Sequence, residues 1–275
     1  MRTDGTLACW GRNEYGQAAP PEGTFATVSA GYEHTCGLRT DGTLTCWGRN
    51  ELGQATSLEG TFATVSGGTW HTCGLRTDGT LTCWGWNERG QATPLEGTFA
   101  TVSLGEVHTC GLRTDGTLDC WGWNEYGQAA PPEGTFTTVS AGRGYTCGVR
   151  TDGTIDCWGW NEYGQAAPPE GTFTTVSAGR GHTCGVRMDG TLACWGQNNF
   201  GQATPPEGTF ATVSAGNKHT CGVWMDGTLA CWGKNEYGQA TPPPGTFTSV
   251  STSHSHTCGV RTDGTLVCWG SVTVG

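Results

Sequence analysis

Fifteen cysteines and seven histidines are the residues of this chain with the most to offer chemically. Six histidines, His34, His71, His108, His182, His219 and His256, sit in the tripeptide His-Thr-Cys, and Tyr145 takes that place in one copy. A second cysteine, in Cys-Trp-Gly, follows each of these by ten residues. Such spacing suits a disulfide, a pair of packed thiols, or part of a zinc site. Zinc is the weakest of the three, because extended strands would carry the histidine away from a shared site. The ring of histidines also suggests metal, yet Tyr145 replaces one member with no other change. A structural histidine bonded to adjacent backbone accounts for the series better.

Catalysis needs a nucleophile, a base and an orienting group converging at one place. Here nearly every Ser, His and Asp recurs copy after copy, apart from singletons such as His254, Asp119 and Asp156. No Asp-x-Asp-x-Asp-Gly calcium loop occurs. No glycine loop leads into a helix to cradle phosphate. The chain is expected to be no enzyme and to use neither metal nor cofactor.

The elements that position these residues follow from the period. Tryptophans recur at 10, 47, 84, 121, 158, 195, 232 and 269, every step being 37 residues. Such a period marks stacked supersecondary units, none able to bury its apolar face alone. In the unit 24–60, residues 24–31 read as a first strand, His34–Arg39 as a second, and 43–48 as a third. Thr40-Asp41-Gly42 is a tight turn between the last two. Asn50-Glu51-Leu52-Gly53-Gln54 is a loop. The remainder is irregular or a short outer strand, since sister copies carry Pro20-Pro21 and Pro131-Pro132 there. No window shows helical periodicity. Three or four short antiparallel strands, seven times over, predict an all-β, seven-bladed β-propeller.

A three-residue Thr-Asp-Gly loop fixes the hairpin register. Arg39 faces Thr43, Leu38 faces Leu44, Gly37 faces Thr45 and Cys36 faces Cys46. Pairs alternate outward, so the cysteines fall on a non-hydrogen-bonded pair with close Cα atoms, compatible with a disulfide. The same register pairs Cys73 with Cys83, Cys110 with Cys120, Cys147 with Cys157, Cys184 with Cys194, Cys221 with Cys231 and Cys258 with Cys268. Cys9 is left over. Dense regular pairing belongs to oxidising compartments, so an extracellular or periplasmic location is expected.

The net charge is −10, with only 14 Lys and Arg, which argues against nucleic acid and anionic membrane surfaces as partners. Nothing approaches the ~18 consecutive apolar residues of a membrane helix. The 13 Trp and 8 Phe provide bulk for a core. The 47 Gly and 12 Pro keep fixed places in each copy and mark turns. A single domain, 1–275, is expected: a partial repeat 1–23, full repeats 24–60, 61–97, 98–134, 135–171, 172–208 and 209–245, and a C-terminal repeat 246–275 completing the ring. Arg2 to Gly11 repeats Arg261 to Gly270 except for Ala8 against Val267. Only one of the two can complete the seventh blade, and Cys258 pairs with Cys9 or Cys268 accordingly. The chain opens in mid-repeat without a signal peptide, as a fragment would.

The run Val-Ser-Ala-Gly-x-x-His-Thr-Cys-Gly-Leu-Arg-Thr-Asp-Gly-Thr-Leu-x-Cys-Trp-Gly-x-Asn-Glu-x-Gly-Gln resembles the regulator-of-chromosome-condensation repeat. Units of that family share the Ala-Gly-x-x-His start, the Asp-Gly turn, the Trp-Gly-x-Asn end and the Gly-Gln. The resemblance covers essentially the whole chain and implies a seven-bladed propeller, but no single function. Members include a guanine-nucleotide exchange factor, a plant ultraviolet photoreceptor, a secreted β-lactamase inhibitor and ectodomains of plant receptor kinases. Short units with Gly-Gln-Ala-x-Pro resemble the inhibitor type, and paired cysteines resemble the receptor-ectodomain type.

Where the copies differ is more telling. The two residues before each His-Thr-Cys read Tyr32-Glu33, Thr69-Trp70, Glu106-Val107, Arg143-Gly144, Arg180-Gly181, Asn217-Lys218 and His254-Ser255. After each Trp-Gly stand Arg12, Arg49, Trp86, Trp123, Trp160, Gln197 and Lys234. After each Asn-Glu or Asn-Asn stand Tyr15, Leu52, Arg89, Tyr126, Tyr163, Phe200 and Tyr237. Strands running up and down put all three sites at one end, and the Thr-Asp-Gly turns at the other. That other end is nearly uniform, apart from Met188 and Met225 in place of Thr. Variation at one end only, rich in Trp, Tyr and Arg, suits a protein-binding surface. Drift in exposed loops is the alternative, but it would have touched both ends.

Trp86, Trp123 and Trp160 form either an aromatic stripe on that face or packing against the next blade. The Gly-Trp-Arg-His-Thr stretch of the photoreceptor branch is absent, the nearest being Gly68-Thr69-Trp70-His71-Thr72. The glutamates at 14, 51, 88, 125, 162 and 236 ring the same face, as a solvated rim or as attraction for a basic partner. The expectation is a monomeric, disulfide-stabilised propeller, secreted or at the cell surface, that binds another protein without nucleic acid or membrane insertion. Alternatives are an inhibitor of the β-lactamase-inhibitor type, a guanine-nucleotide exchange regulator, and a structural or designed repeat. The exchange factor would carry free thiols and a wedge insertion, for which the unbroken period leaves no room. A lectin would need seven equivalent pockets, and the variable sites are not equivalent.

Overall fold

A computed structural model describes residues 14–17, 19, 21–254, 256–263 and 266–270. β1 (Phe25–Ala30), β2 (His34–Arg39) and β3 (Leu44–Gly48) form one antiparallel sheet in that order. Six more three-stranded sheets repeat it, ending with β19 (Phe247–Thr252), β20 (His256–Arg261) and β21 (Leu266–Gly270). Among the described residues there is no helix, and the proline-bearing segment of each repeat adds no fourth strand.

The β2–β3 register sets Cys36 opposite Cys46 and Leu38 opposite Leu44. The Arg39 amide donates to the Thr43 carbonyl at 2.8 Å, closing the three-residue loop. Asp41 Oδ1 accepts from the Thr43 amide at 2.9 Å and from its hydroxyl at 2.7 Å. Gly42 follows at φ 84°, a conformation that side chains other than glycine rarely adopt. The register delivers six disulfides: Cys36–Cys46, Cys73–Cys83, Cys110–Cys120, Cys147–Cys157, Cys184–Cys194 and Cys221–Cys231. Cys258 is disulfide-bonded as well. The choice of Cys9 or Cys268 as its partner falls outside the described residues and side chains.

The core lies between sheets. Cys36, Leu38 and Leu44 of the first sheet pack on Phe62 and Val65 of the second. Cys73, Leu75 and Leu81 of the second pack on Phe99 and Val102 of the third. Simple alternation would send Phe62 and Val65, three residues apart, to opposite faces. A bulge between Phe62 and Thr64 restores both to the core. Each buried Phe contributes about 2 kcal/mol relative to exposure.

A second joint is polar. His34 Nε2 meets Thr72 Oγ1 of the next sheet at 2.7 Å, and that hydroxyl donates onward to the Gln54 carbonyl at 2.8 Å. With the hydroxyl proton so committed, Nε2 must be the histidine's donor, and burial, which lowers the His34 pKa to about 4, keeps the ring neutral at neutral pH. His71–Thr109, His108–Thr146, His182–Thr220 and His219–Thr257 repeat the joint at 2.7 to 2.8 Å. These histidines therefore bond a neighbouring sheet's side chain, not adjacent backbone as the sequence suggested. Tyr145 fills the same joint: its hydroxyl donates to the His182 carbonyl at 2.7 Å and lies 2.9 Å from Thr183 Oγ1, whose single proton is shared with the Gln165 carbonyl at 2.8 Å. Gly31 is required here, since a Cβ would sit 2.3 Å from His34 Cε1 and 2.5 Å from the Gly68 carbonyl. Among the described residues no equivalent contact joins the seventh sheet to the first. His256 turns instead to Ser253 Oγ, 3.0 Å away.

The singletons Asp119 and Asp156 are structural. They pair with Arg113 and Arg150 across their hairpins, where other copies use Thr45 to bond Arg39. Trp224 replaces that arginine once and stacks on Phe210 with ring centroids 3.8 Å apart.

Candidate functional site

The Asn-Glu-x-Gly-Gln loop is a self-bonded turn. Asn50 Oδ1 accepts from the Ala55 amide at 2.8 Å, and Gln54 Oε1 accepts from the Leu52 amide at 2.9 Å. The Gln54 side chain is fully buried, and its carbonyl is docked on the next sheet through Thr72. In five other copies that carbonyl also takes an indole N–H, as Trp121 gives to Gln91 at 2.9 Å. What the turn exposes is residue x. Leu52, Tyr126, Tyr163, Phe200 and Tyr237 all stand out into solvent on this rigid support.

Contacts between neighbouring repeats merge the three variable sites into one band. The Arg49 guanidinium lies 5.1 Å from the Tyr15 ring and 5.3 Å from the Trp70 ring. Tyr32 packs edge-on against Trp70, centroids 5.4 Å apart. Further round, Trp123, Tyr126, Trp160 and Tyr163 follow one another at 5.0, 6.4 and 5.2 Å. Lys218 and Lys234 lie over Phe200, and Lys234 also over Tyr237. Trp86, Trp123 and Trp160 line a single recess of about 350 Å³ with Tyr126, Glu106 and Arg143. These tryptophans are half-buried and line the recess, and Trp160 also meets Tyr126 of the preceding repeat.

Beside the recess is a central depression of about 450 Å³, lined by the first turns of all seven sheets. Tyr32, Thr69, Trp70, Glu106, Arg143, Arg180 and His254 bring their side chains to it. Val107 lines the recess instead, while Lys218, Lys234 and Gln197 stand half-buried along the band. Two of the sequence candidates turn inward. Glu33 is 5% exposed and holds Arg49 at 2.6 Å, and Asn217 is 8% exposed with its amide 2.5 Å from His254 Nδ1. Arg12 and Ser255 lie outside the described residues.

The charges are unevenly matched. Arg49 also bonds Glu51 at 2.6 Å, and these hydrogen bonds push its pKa up. Arg143 pairs with Glu106 at 2.7 Å, Lys234 with Glu236 at 2.8 Å, and Arg89 with Glu125 at 3.8 Å. Burial first, and then Arg180, Lys218 and Lys234, hold the His254 pKa below its ordinary value. No cluster of three or more His, Cys, Asp or Glu able to hold a metal occurs among the described residues. The three variable positions of the sequence meet in this band, which the sequence reading expected to bind a partner. Sequence variation missed the buried polar joint that supports it, although a Thr following each His at the repeat period was a visible signal.

Comparison with known proteins places this architecture. The model of the regulator of chromosome condensation (RCC1) repeat matches residues 25–54, 62–91, 99–128, 136–165, 173–202, 210–239 and 247–274. No curated protein sequence matches significantly. Among solved structures, the ectodomain of the Physcomitrella patens receptor kinase CR4 is 27% identical, with a TM-score of 0.76 over 91% of this chain and 75% of that one. The ectodomain of the Arabidopsis thaliana receptor kinase ACR4 is 27% identical, with a TM-score of 0.72 over 90% and 98%. Prp20p of Saccharomyces cerevisiae, studied for its binding to Gsp1p and histones, shares the fold at 15% identity, with a TM-score of 0.74 over 97% and 91%.

Proposed function

The chain belongs to the regulator of chromosome condensation repeat family, and from that premise we propose that it is a secreted or cell-surface propeller that captures a partner protein on its variable face. The observation that carries this is the sorting of residues. Positions shared by all copies are spent on joints and turns, while unlike residues gather in one aromatic and charged band. Members of the family are generally regulators or binding scaffolds. Likeness to two receptor-kinase ectodomains and six disulfides supports an oxidising compartment. The seven sheets close as a ring in this reading, with the turns of all seven around one depression and one terminal copy of the last strand completing the seventh sheet. Inhibition of an enzyme by the same face, in the manner of the β-lactamase inhibitor, is the narrower form of this proposal.

Site-specific photocrosslinking tests it. A photoreactive amino acid at Tyr126 should yield an adduct with a partner, and one at Met188 on the Asp-Gly end should not. Adducts from Met188 alone would place recognition on the wrong face. Alkylation of protein from its native source should find the paired cysteines blocked; free thiols throughout would move the protein into the cytosol.

A further inference from the structure

Resting on the reading of the variable face as a recognition surface, the chemistry of the partner can be narrowed. Most cations of the band are already held. Arg49, Arg89, Arg143 and Lys234 each have a carboxylate within 4.0 Å. Arg180 and Lys218 have none among the described residues. Arg180 is exposed in the wall of the central depression, and the Lys218 ammonium lies over Phe200, 5.0 Å from its centroid. His254 lines that side of the depression, held by the buried Asn217 amide.

In a chain of net charge −10, Arg180 stands in the wall of the depression without a carboxylate partner among the described residues, and Lys218 does so on the band, over Phe200. Low-dielectric walls focus such a field. Burial first, and then Arg180, Lys218 and Lys234, lower the pKa of His254 in the same wall, so these cations lie close enough to act on it. A free anion would satisfy the charge, but the neighbouring recess calls for more. It shares Glu106 and Arg143 with the depression, and Trp86, Trp123, Trp160 and Tyr126 wall it together with Arg89, Val107 and Gly144. An apolar anchor fits there, as aromatic pockets at interface centres receive one.

We propose that the partner presents a loop in which an aromatic or long aliphatic residue stands beside an Asp or Glu. The apolar side chain fills the tryptophan recess, and the carboxylate reaches across the Arg143–Glu106 pair to Arg180 and Lys218.

The probe is a phage-displayed library of disulfide-cyclised peptides, selected on the immobilised protein. Enriched peptides should carry an acidic residue within a few positions of Trp, Phe, Tyr or Leu. The double substitution Arg180→Glu and Lys218→Glu, at exposed and half-buried positions, should weaken their binding by at least about tenfold with the thermal midpoint unchanged. Raising NaCl from about 0.05 to about 0.5 M should weaken it as well. Peptides that need the three tryptophans but show no acidic bias, and ignore the double substitution, would overturn this inference and leave the protein-binding reading standing. Selection that yields no peptide dependent on this face would overturn both. Inorganic phosphate binding at Arg180, indifferent to Trp123→Ala, would mark a free-anion site and overturn the loop.

Discussion

Between the second and third sheets, His71 Nε2 meets Thr109 Oγ1 at 2.8 Å, and four further joints repeat that contact almost unchanged. Immediately before each of those histidines, on the rim, Thr69-Trp70, Glu106-Val107 and Arg180-Gly181 have nothing in common. The joint is buried, so the histidine Nε2 and the threonine hydroxyl must find each other there, and only Tyr145 has replaced a histidine. The rim faces solvent on turns already rigid without it, so its side chains are free to differ. The contrast separates what holds the molecule together from what it presents.

Breaking the joints should be costly and should spare the rim's chemistry. Reduction of the disulfides, each closing a loop between residues ten apart, should remove about 3 kcal/mol per bridge and unfold the chain, as calorimetry with and without reductant would show. Acid should act on the histidines. Burial lowers their pKa to about 4 for His34, His108, His182 and His219 and to about 3 for His71, against 6.5 when unfolded. Above pH 6.5 neither state takes a proton and stability is full. Below it the unfolded chain binds protons first, so stability falls by about 1.4 kcal/mol per pH unit for each histidine until the folded pKa is reached. Thermal midpoints should hold level above neutrality and drop steeply from pH 6.5 towards 4.

A single joint is a smaller test. Thr109→Val would strand the His71 donor and leave the Gln91 carbonyl with only the Trp121 indole, costing about 2–3 kcal/mol in urea unfolding, with partner binding intact at low temperature. At the uniform end, Asp152→Ala removes the acceptor that ties down Thr154, which also holds the Asp152 pKa low. Only a slight fall in thermal midpoint and no change in binding are expected there.

The hairpin register was legible because a three-residue loop leaves one pairing, and it placed Cys36 on Cys46 before any fold was known. The pairing of Arg113 with Asp119 was not read from the sequence, although the register that sets Gly111 opposite Asp119 brings the two residues to diagonal positions. The bulge at Ala63 was not legible, because alternation alone cannot show where a strand takes an extra residue. Glu33 and Asn217 were read as surface because their neighbours vary, but a carboxylate that meets Arg49 at 2.6 Å and an amide beside His254 are drawn inward by those partners. Sequence variation marks where a face lies, and only packing decides which residues on it remain available.

The most direct test sets the two ends of the molecule against each other. Trp86, Trp123 and Trp160 are changed together to Ala in one variant, and Met188, Met225 and Asp152 together to Ala in another. Capture of extracellular proteins by each immobilised variant is compared with that of the unaltered chain by mass spectrometry, with thermal midpoints measured in parallel. The tryptophan variant should lose the captured partner by about 100-fold or more while staying folded, and the other variant should retain it. Retention by the folded tryptophan variant, or loss in the other, would contradict recognition through the variable face.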